Sequence, residues 1–257
     1  MKKLPFAVSI PHGGTDIPEE FEPLVIATAE DCREDVDHLT REICSVPEDA
    51  VQHFLTFATS RTFVDLNRPP DAYGEEHPDG VVKRKTHTGR PVFKTFPADE
   101  VVEKVIDRLY HPYHRSLEKM AKDPAVKLTL DCHSMSPTGL VASPDAHGER
   151  RPPICLGHKG GASAPLEMVS ALRRIMACVY QLDEEDIVID KPFNGGYITR
   201  TYGGPSSPFI QIEFSRGFYM AHRLGDPKPA LEPEEAKVWS DRFFETLERL
   251  AKEPIFR

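Results

Sequence analysis

The chain has 257 residues, of which 39% are hydrophobic and 28% are charged, a composition typical of a soluble globular protein. Its length is sufficient for one large α/β domain with a sizeable core. The formal net charge of -9 argues against a nucleic-acid partner, because neutralising phosphates requires a basic surface. The five cysteines are odd in number and show no CxxC spacing, which favours reduced, buried thiols in a cytoplasmic protein.

The sequence predicts neither a membrane span nor a secretory signal. Lys2 and Lys3 precede an apolar run, but the run covers only Leu4 to Ile10 and is interrupted by Pro11-His12-Gly13-Gly14. No other apolar segment approaches the length that a transmembrane helix needs. We therefore expect a cytoplasmic protein without a membrane partner.

Short runs rich in β-branched and aromatic residues predict strands along the whole chain. The predicted strands are Phe6–Ile10, Val51–Thr59 with Thr62–Leu66 as one or two strands, Lys127–Leu130, Ile154–Leu156, Ile187–Ile189 and Phe209–Phe214. Apolar residues at helical spacing predict the helices Asp35–Ile43, Ala98–Met120, Pro165–Tyr180 and Pro233–Leu250. This order predicts a single α/β domain over residues 1–257, with a mixed, largely parallel central sheet and helices on both faces.

The segment from Pro69 to Phe96 interrupts the alternation of strands and helices. It contains several prolines and glycines among charged residues, including the basic run Lys83-Arg84-Lys85. A loop of this length in a compact domain is usually functional or disordered. It could be a lid over a binding site or a mobile surface excursion, and the sequence does not decide between them.

Two histidines follow apolar runs that predict strands. His12 comes after the first strand, and His133 lies in Asp131-Cys132-His133-Ser134-Met135 after a later one. A lone histidine is more often structural than a ligand, but the carboxyl ends of strands in an open α/β sheet are where such folds bind ligands and metals. A zinc hydrolase uses three protein ligands and keeps a fourth position for water. The nearest source of a third ligand is an acidic cluster: Asp31, Glu34, Asp35 and Asp37.

A second informative segment runs from Arg61 to Arg68. It ends in Asn67-Arg68, and the two prolines that follow impose an extended exit. The arginine guanidinium offers a planar pair of donors that matches a carboxylate, and the Asn67 amide adds another donor. Alternatively, Arg68 forms a structural salt bridge with Asp65 or Asp71, and the sequence leaves both interpretations open.

Two further segments carry polar residues that could act in catalysis or substrate binding. Gln211 and Glu213 alternate with apolar residues in the last predicted strand, so they share one face. If the sheet is covered on both sides, Glu213 is buried and its pKa rises toward the range of a general base; on a solvent face it is an ordinary surface residue. The stretch from Asn194 to Arg200, which includes Tyr197, is either a plain glycine turn or a loop that grips a substrate.

Together these segments resemble the N-formylglutamate amidohydrolase family, which belongs to the zinc carboxypeptidase-like group of folds. The matching segments are Pro11–Gly14, Ser60–Pro69, Asp131–Met135, Gly195–Tyr197 with Arg200, and Ile210–Glu213. They occur in the family's order and span residues 11 to 213, which is most of the chain.

The resemblance implies a zinc carboxypeptidase-like fold with one zinc ion, although other divalent metals are not excluded. His12 and His133 are implied as zinc ligands. Glu213 is implied as the catalytic carboxylate that activates water, and Arg61 as a donor to the scissile carbonyl oxygen.

The resemblance also implies substrate contacts and a third metal ligand. Asn67 and Arg68 would hold the substrate carboxylate, with Tyr197 and Arg200 as further substrate-binding residues. Members of the family carry an acidic ligand at the start of the next helix, where Glu34, Asp35 and Asp37 lie close together. We choose Asp35, because Leu39 and Ile43 then fall on the helix face behind it.

The expected function is that of a zinc-dependent amidohydrolase that cleaves the N-acyl amide of a small, carboxylate-bearing amino acid. N-formylglutamate is the leading candidate, which would place the enzyme in histidine degradation. The alternatives are a deacylase or peptidase for another N-acyl amino acid or small peptide, or a carboxylate-binding protein that kept the fold and lost catalysis. The sequence does not indicate an oligomeric state.

Overall fold

A six-stranded sheet forms the centre of the molecule in the computed structural model, which describes residues 2–139, 145, 148–220 and 230–256. Its strands are β1 (Leu4–Ile10), β2 (Val51–Thr56), β3 (Leu128–Met135), β4 (Ile154–Gly157), β5 (Ile187–Ile189) and β6 (Phe209–Ser215). They lie in the order β2-β1-β3-β6-β4-β5, and all neighbours are parallel except the antiparallel pair β4 and β6. The predicted mixed, largely parallel sheet is confirmed, and the narrower zinc carboxypeptidase-like classification stays a prediction.

Helices connect the strands in the predicted alternation. They are α1 (Ala29–Asp35), α2 (Thr40–Ile43), α3 (Asp99–Val105), α4 (His111–Lys122), α5 (Leu166–Tyr180), α6 (Tyr197–Tyr202), α7 (Arg216–Tyr219) and α8 (Pro233–Leu250), with a π-helical turn at Ile106–Tyr110 joining α3 to α4. The long helix predicted after Ala98 and those predicted at Pro165 and Pro233 are therefore confirmed. Helix α8 begins at Pro233 because proline suits the first helical position and because Glu232 and Glu235 cap its free amides.

Two hydrophobic clusters lie on opposite faces of the sheet. Phe6, Val8 and Ile10 of β1 belong to one cluster, which includes side chains of α5 and α8, whereas Ala7 belongs to the other, with side chains of α3 and α4. Successive side chains of a strand point to opposite faces, so this division shows that the helices cover both sides of the sheet. The prediction of helices on both faces is confirmed.

The predicted strand Thr62–Leu66 is wrong, because this stretch forms successive turns. The amides of Phe63 and Val64 both donate to the carbonyl of Ser60, at 3.0 and 3.1 Å. Phe63, Val64 and Leu66 are nevertheless fully buried in the second cluster. The apolar run reflects burial of a turn, which a short run cannot distinguish from a strand.

The predicted helix Asp35–Ile43 is also wrong in its extent. Helix α1 ends at Asp35, Val36 is extended at φ -77° and ψ 148°, and α2 begins only at Thr40. Leu39 adopts a left-handed conformation with φ 60°, which ends helical continuity. This break determines which carboxylate reaches the sheet edge.

The segment from Pro69 to Phe96 packs onto the second hydrophobic cluster. Val81, Val82 and Val92 are fully buried there, and isolated bridges join Lys85 to Pro91 and Val25 to Phe93. The segment is therefore built into the fold, and its movement as a lid stays a prediction.

All five cysteines are free thiols, as predicted. Four are buried, whereas Cys178 on α5 is exposed. None of the helices that the structure describes has both the length and the apolar composition required to cross a membrane.

Candidate metal centre and active-site cavity

Three neighbouring parallel strands bring the predicted chemical groups to one edge of the sheet. His12 follows the end of β1 by two residues, His133 lies near the end of β3, and Glu213 lies near the end of β6. Strands β1, β3 and β6 are adjacent, and His133 is directly opposite Glu213 in the β3–β6 ladder. Strand direction and register therefore account for the convergence of residues up to 201 positions apart.

The loop after β1 depends on a glycine for its path. A Cβ atom on Gly14 would lie 2.2 Å from the carbonyl oxygen of Ala58. This is a steric clash that could be relieved only by moving the backbone. The amide of Asp16 donates to the same carbonyl at 2.9 Å. The chain after β1 is thus held against the chain after β2, which fixes where His12 leaves the sheet.

His12, Asp37 and His133 form a compact, buried cluster. Nδ1 of His133 lies 3.1 Å from Nδ1 of His12 and 3.0 Å from Oδ2 of Asp37, and Nδ1 of His12 lies 3.6 Å from that same oxygen. The three side chains are at most 3% exposed. Three ligand atoms this close together, two from histidine and one from a carboxylate, form a candidate site for a metal ion.

A buried carboxylate orients each of the two histidines. Nε2 of His12 lies 2.9 Å from Oδ1 of Asp65, and Nε2 of His133 lies 3.1 Å from Oδ2 of Asp131. An ionised carboxylate only accepts hydrogen bonds, so each Nε2 carries the proton and each Nδ1 directs a lone pair into the cluster. A carboxylate behind a metal-binding histidine is a common arrangement, since it fixes the tautomer and increases the basicity of the ligand.

The donor set fits a divalent cation. Tetrahedral zinc with bonds of about 2.0–2.1 Å places its ligand atoms roughly 3.3 Å apart, close to the 3.0–3.6 Å separations within this cluster. Burial alone would lower the pKa of His133, but Asp131 and Asp37 outweigh it and raise that pKa well above its usual value. The surrounding carboxylates therefore favour a positive charge between these side chains, whether a proton or a cation supplies it.

The structure does not bring Asp35, the predicted third ligand, into the cluster. Its Oδ1 accepts from the backbone amide of His87 at 2.8 Å and lies 2.6 Å from His87 Nδ1, while Lys83 Nζ donates to its Oδ2 at 3.3 Å. Because α1 ends at Asp35, the extended Val36 carries the chain on, and the amide of Asp37 donates to the carbonyl of His12 at 3.1 Å. Asp37 is thus the carboxylate beside the histidines, and the remaining alternative, Glu34, is exposed.

Arg61 lies next to the cluster and lines the cavity above it. Its Nη2 donates to Oδ2 of Asp65 at 2.8 Å, and its Nη1 donates to Oδ1 of Asp37 at 3.4 Å. Burial lowers the pKa of Arg61, but the carboxylates of Asp65 and Asp37 outweigh it and raise that pKa above its ordinary value. The guanidinium is therefore charged and held beside the candidate metal ligands.

Glu213 is buried and connected to a cavity loop through Gln211. Gln211 Nε2 donates to Oε1 of Glu213 at 2.7 Å, and Gln211 Oε1 accepts from the amide of Gly196 at 2.7 Å. Burial raises the pKa of Glu213 to about 7; His133 opposes the rise and Asp37 adds to it. A carboxylate with a pKa near neutral can both accept and return a proton.

Asn67 and Arg68 also line the cavity, as expected for substrate-binding residues. Oδ1 of Asn67 accepts from the amide of Ile198 at 2.9 Å, and its amide group packs so closely on Gly196 that a Cβ there would lie 2.1 Å from Nδ2. Arg68 donates from Nη2 to Oδ2 of Asp79 at 2.7 Å. Its salt-bridge partner is therefore Asp79, which is neither of the two alternatives raised by the sequence.

The cavity has a volume of about 450 Å³, within the range of small-molecule sites. Its wall includes all three residues of the cluster, together with Arg61, Asn67, Arg68 and Glu213. The segment from Pro69 to Phe96 contributes Asp79, Lys83 and His87 to this wall. The arrangement combines a candidate metal site, the buried carboxylate of Glu213 and several cations in one space.

Known proteins provide an independent comparison. The sequence model of the N-formylglutamate amidohydrolase family matches residues 4–220. The chain belongs to this family. Its relatives include the N-formylglutamate deformylases of Pseudomonas putida, 25% identical over 229 residues (85% of this chain and 82% of the relative), and of Pseudomonas aeruginosa, 27% identical over 228 residues (85% and 83%).

Solved structures show the same fold. An N-formylglutamate amidohydrolase from Ralstonia eutropha superposes with a TM-score of 0.78 at 20% identity, covering 97% of this chain and 94% of that protein. A gene product from Agrobacterium tumefaciens superposes with a TM-score of 0.66 at 16% identity, covering 97% and 90%. At these identities the likeness establishes the fold alone.

Two residues that the family resemblance implies as substrate contacts lie outside the cavity wall. Arg200 is exposed on α6, with its guanidinium 5.8 Å from the ring centre of Tyr197. The ring of Tyr197 lies 5.9 Å from that of His114. Direct substrate binding by Tyr197 and Arg200 stays a prediction, since the cavity wall includes Gly196 and neither of these two residues.

Sequence reasoning missed the two carboxylates behind the histidines. Asp131 lies two residues before His133 in the same strand, so both side chains share a face, and this alternation was visible in the sequence. Asp65 was visible only as a possible partner of Arg68. Its contact with His12 crosses between two turns, which no periodic pattern encodes.

Proposed function

We propose that this protein is a metal-dependent amidohydrolase that removes the formyl group from N-formyl-L-glutamate, with zinc as the resident cation. The observation that carries the proposal is the convergence of His12, Asp37 and His133 on one point, with Glu213 opposite His133 in the ladder. Membership of the family and the two Pseudomonas relatives, both N-formylglutamate deformylases, support the choice of substrate.

Five side chains would bind and orient the cation. His12, His133 and Asp37 would hold the cation, with Asp65 and Asp131 fixing the two imidazoles. When bound, a divalent cation polarises a carbonyl group and lowers the pKa of a neighbouring water molecule. The remaining chemistry falls to the side chains around it.

Glu213 would act as the proton carrier. Its ionised form takes a proton from the attacking water, and its protonated form then delivers that proton to the nitrogen of the breaking amide bond. The products are formate and glutamate. A pKa near 7 suits both halves of this task, since neither protonation state is far from accessible at neutral pH.

Arg61 would stabilise the negative charge that develops on the carbonyl oxygen. Its guanidinium lies beside the cluster and is already charged, so no proton transfer is needed when the oxyanion forms. A preorganised donor of this kind typically contributes about 3 kcal/mol to transition-state stabilisation. Arg68 and Asn67 would bind a substrate carboxylate. Some of the Arg68 donors that now bond to Asp79 would then bond to the substrate.

Formate release from N-formylglutamate by the purified, zinc-loaded protein tests the proposal. Treatment with a chelator should abolish formate release, and one equivalent of zinc should restore it. His133→Ala should give folded protein with little bound zinc and almost no activity. The proposal is overturned if His133→Ala keeps stoichiometric zinc and full activity.

A panel of substrates distinguishes N-formylglutamate hydrolysis from the other amide hydrolase activities that the sequence allows. N-formyl, N-acetyl and dipeptide compounds would be compared under identical conditions. The highest kcat/KM is expected for N-formylglutamate, and a higher value for a peptide that lacks a side-chain carboxylate would contradict the assignment. A cytoplasmic location, a role in histidine degradation and the absence of a nucleic-acid partner stay predictions from the sequence.

A further inference from the structure

The cationic side chains of the cavity differ in whether the protein already neutralises them. Five arginine or lysine side chains line the wall. Four of them are paired: Arg61 with Asp65 at 2.8 Å, Arg68 with Asp79 at 2.7 Å, Lys83 with Asp35 at 3.3 Å and Arg151 with Asp145 at 2.8 Å. The fifth is Arg216.

Arg216 makes no side-chain hydrogen bond or ion pair with any residue in the described ranges. It is the first residue of α7 and directly follows β6, three residues after Glu213. Its side chain is partly buried and contributes to the wall that also includes His133 and Ser134. Partial withdrawal from water costs a guanidinium part of its hydration, and a bound anion would compensate for that cost.

The backbone that carries Arg216 is fixed beside the candidate metal centre. The hydroxyl of Tyr219 in α7 donates to the carbonyl of His38, the residue after Asp37. The amide of Met220 donates to the carbonyl of Arg216 at 3.1 Å, which closes the helical turn. These contacts hold the turn that carries Arg216 against the chain that follows Asp37, and both Arg216 and Asp37 line the cavity.

Arg68 lies in a different part of the fold. It ends the segment from Arg61 to Arg68 and pairs with Asp79, whereas Arg216 begins α7 directly after β6. Among the five cations of the wall, Arg68 and Arg216 therefore offer two separate positions for an anion, in addition to Arg61 beside the cluster. A substrate with two carboxylates needs two such positions.

We propose that Arg216 binds the side-chain carboxylate of the substrate, an inference that rests on the proposed function. Asn67 and Arg68 then hold the carboxylate of the amino-acid backbone, and the formyl amide lies between them, near the cluster and Glu213. A guanidinium recognises a carboxylate through two parallel N–H donors, which gives direction as well as charge. Arg216 is therefore a specificity-determining residue that separates acidic from neutral N-formyl amino acids.

The test compares N-formylglutamate with N-formylglutamine, which differ only in whether the side chain ends in a carboxylate or an amide. In the zinc-loaded enzyme, Arg216→Ala should lower kcat/KM for N-formylglutamate about 10- to 100-fold, the range for a hydrogen-bonded charge pair. Its kcat/KM for N-formylglutamine should change little. Arg216→Lys should be intermediate, since it keeps the charge without the planar donors. Arg174→Ala, which removes an exposed arginine of α5 paired with Glu253, is the matched control.

Binding of free glutamate and glutamine, measured by calorimetry on the zinc-loaded variants, provides a readout that does not require turnover. The wild-type protein could bind glutamate without hydrolysing N-formylglutamate, while Arg216→Ala no longer binds glutamate. In that case the proposed activity fails and the role of Arg216 stands. The proposed role of Arg216 is wrong if Arg216→Ala weakens the binding of glutamate and glutamine equally, or if it leaves the preference for glutamate intact. Thermal melting of Arg216→Ala and Arg216→Lys identifies any loss that comes from misfolding.

Discussion

Glu213 and His133 occupy the same ladder position on neighbouring parallel strands, so the candidate general base faces a candidate metal ligand across one strand spacing. This register follows from buried runs on β3 and β6 that pair over seven positions, from Thr129 with Phe209 to Met135 with Ser215. A shift of β6 by one residue would turn Glu213 to the other face of the sheet, away from His133. The chemistry of the site therefore depends on sheet register as much as on the identity of the two residues.

Replacing Glu213 by glutamine should separate proton transfer from metal binding. The variant keeps a side-chain oxygen that can accept from Gln211 Nε2, so its fold and zinc content should be unchanged. Its kcat should fall about 10²- to 10⁴-fold, the usual contribution of a positioned general base. Formate release and zinc content are measured on the same preparation, with Glu245→Gln on the exposed face of α8 as the control. Loss of zinc together with activity would make Glu213 a ligand instead.

Gln211→Met should change the pH dependence of the reaction. Burial raises the pKa of Glu213 to about 7, and the hydrogen bond from Gln211 counteracts part of that rise by favouring the ionised form. Removing the donor therefore raises this pKa further, and the acidic limb of the kcat/KM profile should move to higher pH. Gln52→Met on β2, outside the site, should leave the profile unchanged. A limb that moves to lower pH would contradict the assignment of Glu213.

Asp131→Asn should weaken zinc binding without removing a ligand. Asparagine can still accept from Nε2 of His133, but it lacks the charge that increases the basicity of the imidazole. Zinc affinity should fall about 10- to 100-fold, measured by competition with a chelator. The matched control is Asp123→Asn, since Asp123 pairs with His53 at 2.7 Å outside the cavity wall. Equal zinc affinity in the wild type and Asp131→Asn would show that Asp131 does not support the site.

The stability of the fold should decrease in acid because of His114. Burial lowers the pKa of His114 to about 4, against 6.5 as the ordinary value. Its Nε2 donates to the carbonyl of Leu66 at 3.0 Å, and the hydroxyl of Tyr202 lies 2.8 Å from its Nδ1, an arrangement that suits the neutral ring. The unfolded chain binds a proton below pH 6.5 and the folded chain does so only near pH 4, so stability is lost as the pH falls between these values.

His114 alone should account for about 3 kcal/mol of that loss. The free energy of unfolding, measured in urea between pH 7.5 and pH 4.5, should decrease less steeply in His114→Gln than in the wild type. His53→Gln, which changes a half-exposed histidine on β2, should keep the wild-type slope. The same slope in His114→Gln would mean that His114 is not buried as a neutral ring.

Much of the sheet and half of the candidate site could be predicted from the sequence. Strand-length apolar runs located five of the six strands closely, and the position of His12, His133 and Glu213 at strand ends identified the edge where they meet. The apolar run Thr62–Leu66 was wrongly predicted to be a strand, because a buried turn and a buried strand can have the same apolar composition. The fourth predicted site residue, Arg61, reached the cluster through that turn.

The third candidate ligand, Asp37, could not be singled out from the sequence for a physical reason. Asp35 and Asp37 are separated by one residue, and a continuous helix would have placed Asp35 facing the sheet with Leu39 behind it. The helix instead ends at Asp35, and Leu39, which packs against the first hydrophobic cluster, adopts a left-handed conformation. Such a change of backbone direction depends on tertiary packing, which overrides local helix propensity.

The zinc content of Asp37→Asn and Asp35→Asn, determined side by side with the wild type, tests the central claim most directly. Asp35 accepts from His87 and Lys83, so Asp35→Asn should keep one zinc per chain while losing about 1–3 kcal/mol of unfolding free energy. Asp37→Asn should lose most of its zinc and its activity, because three protein ligands leave no redundancy. Stoichiometric zinc in Asp37→Asn together with its loss from Asp35→Asn would contradict the metal centre described here.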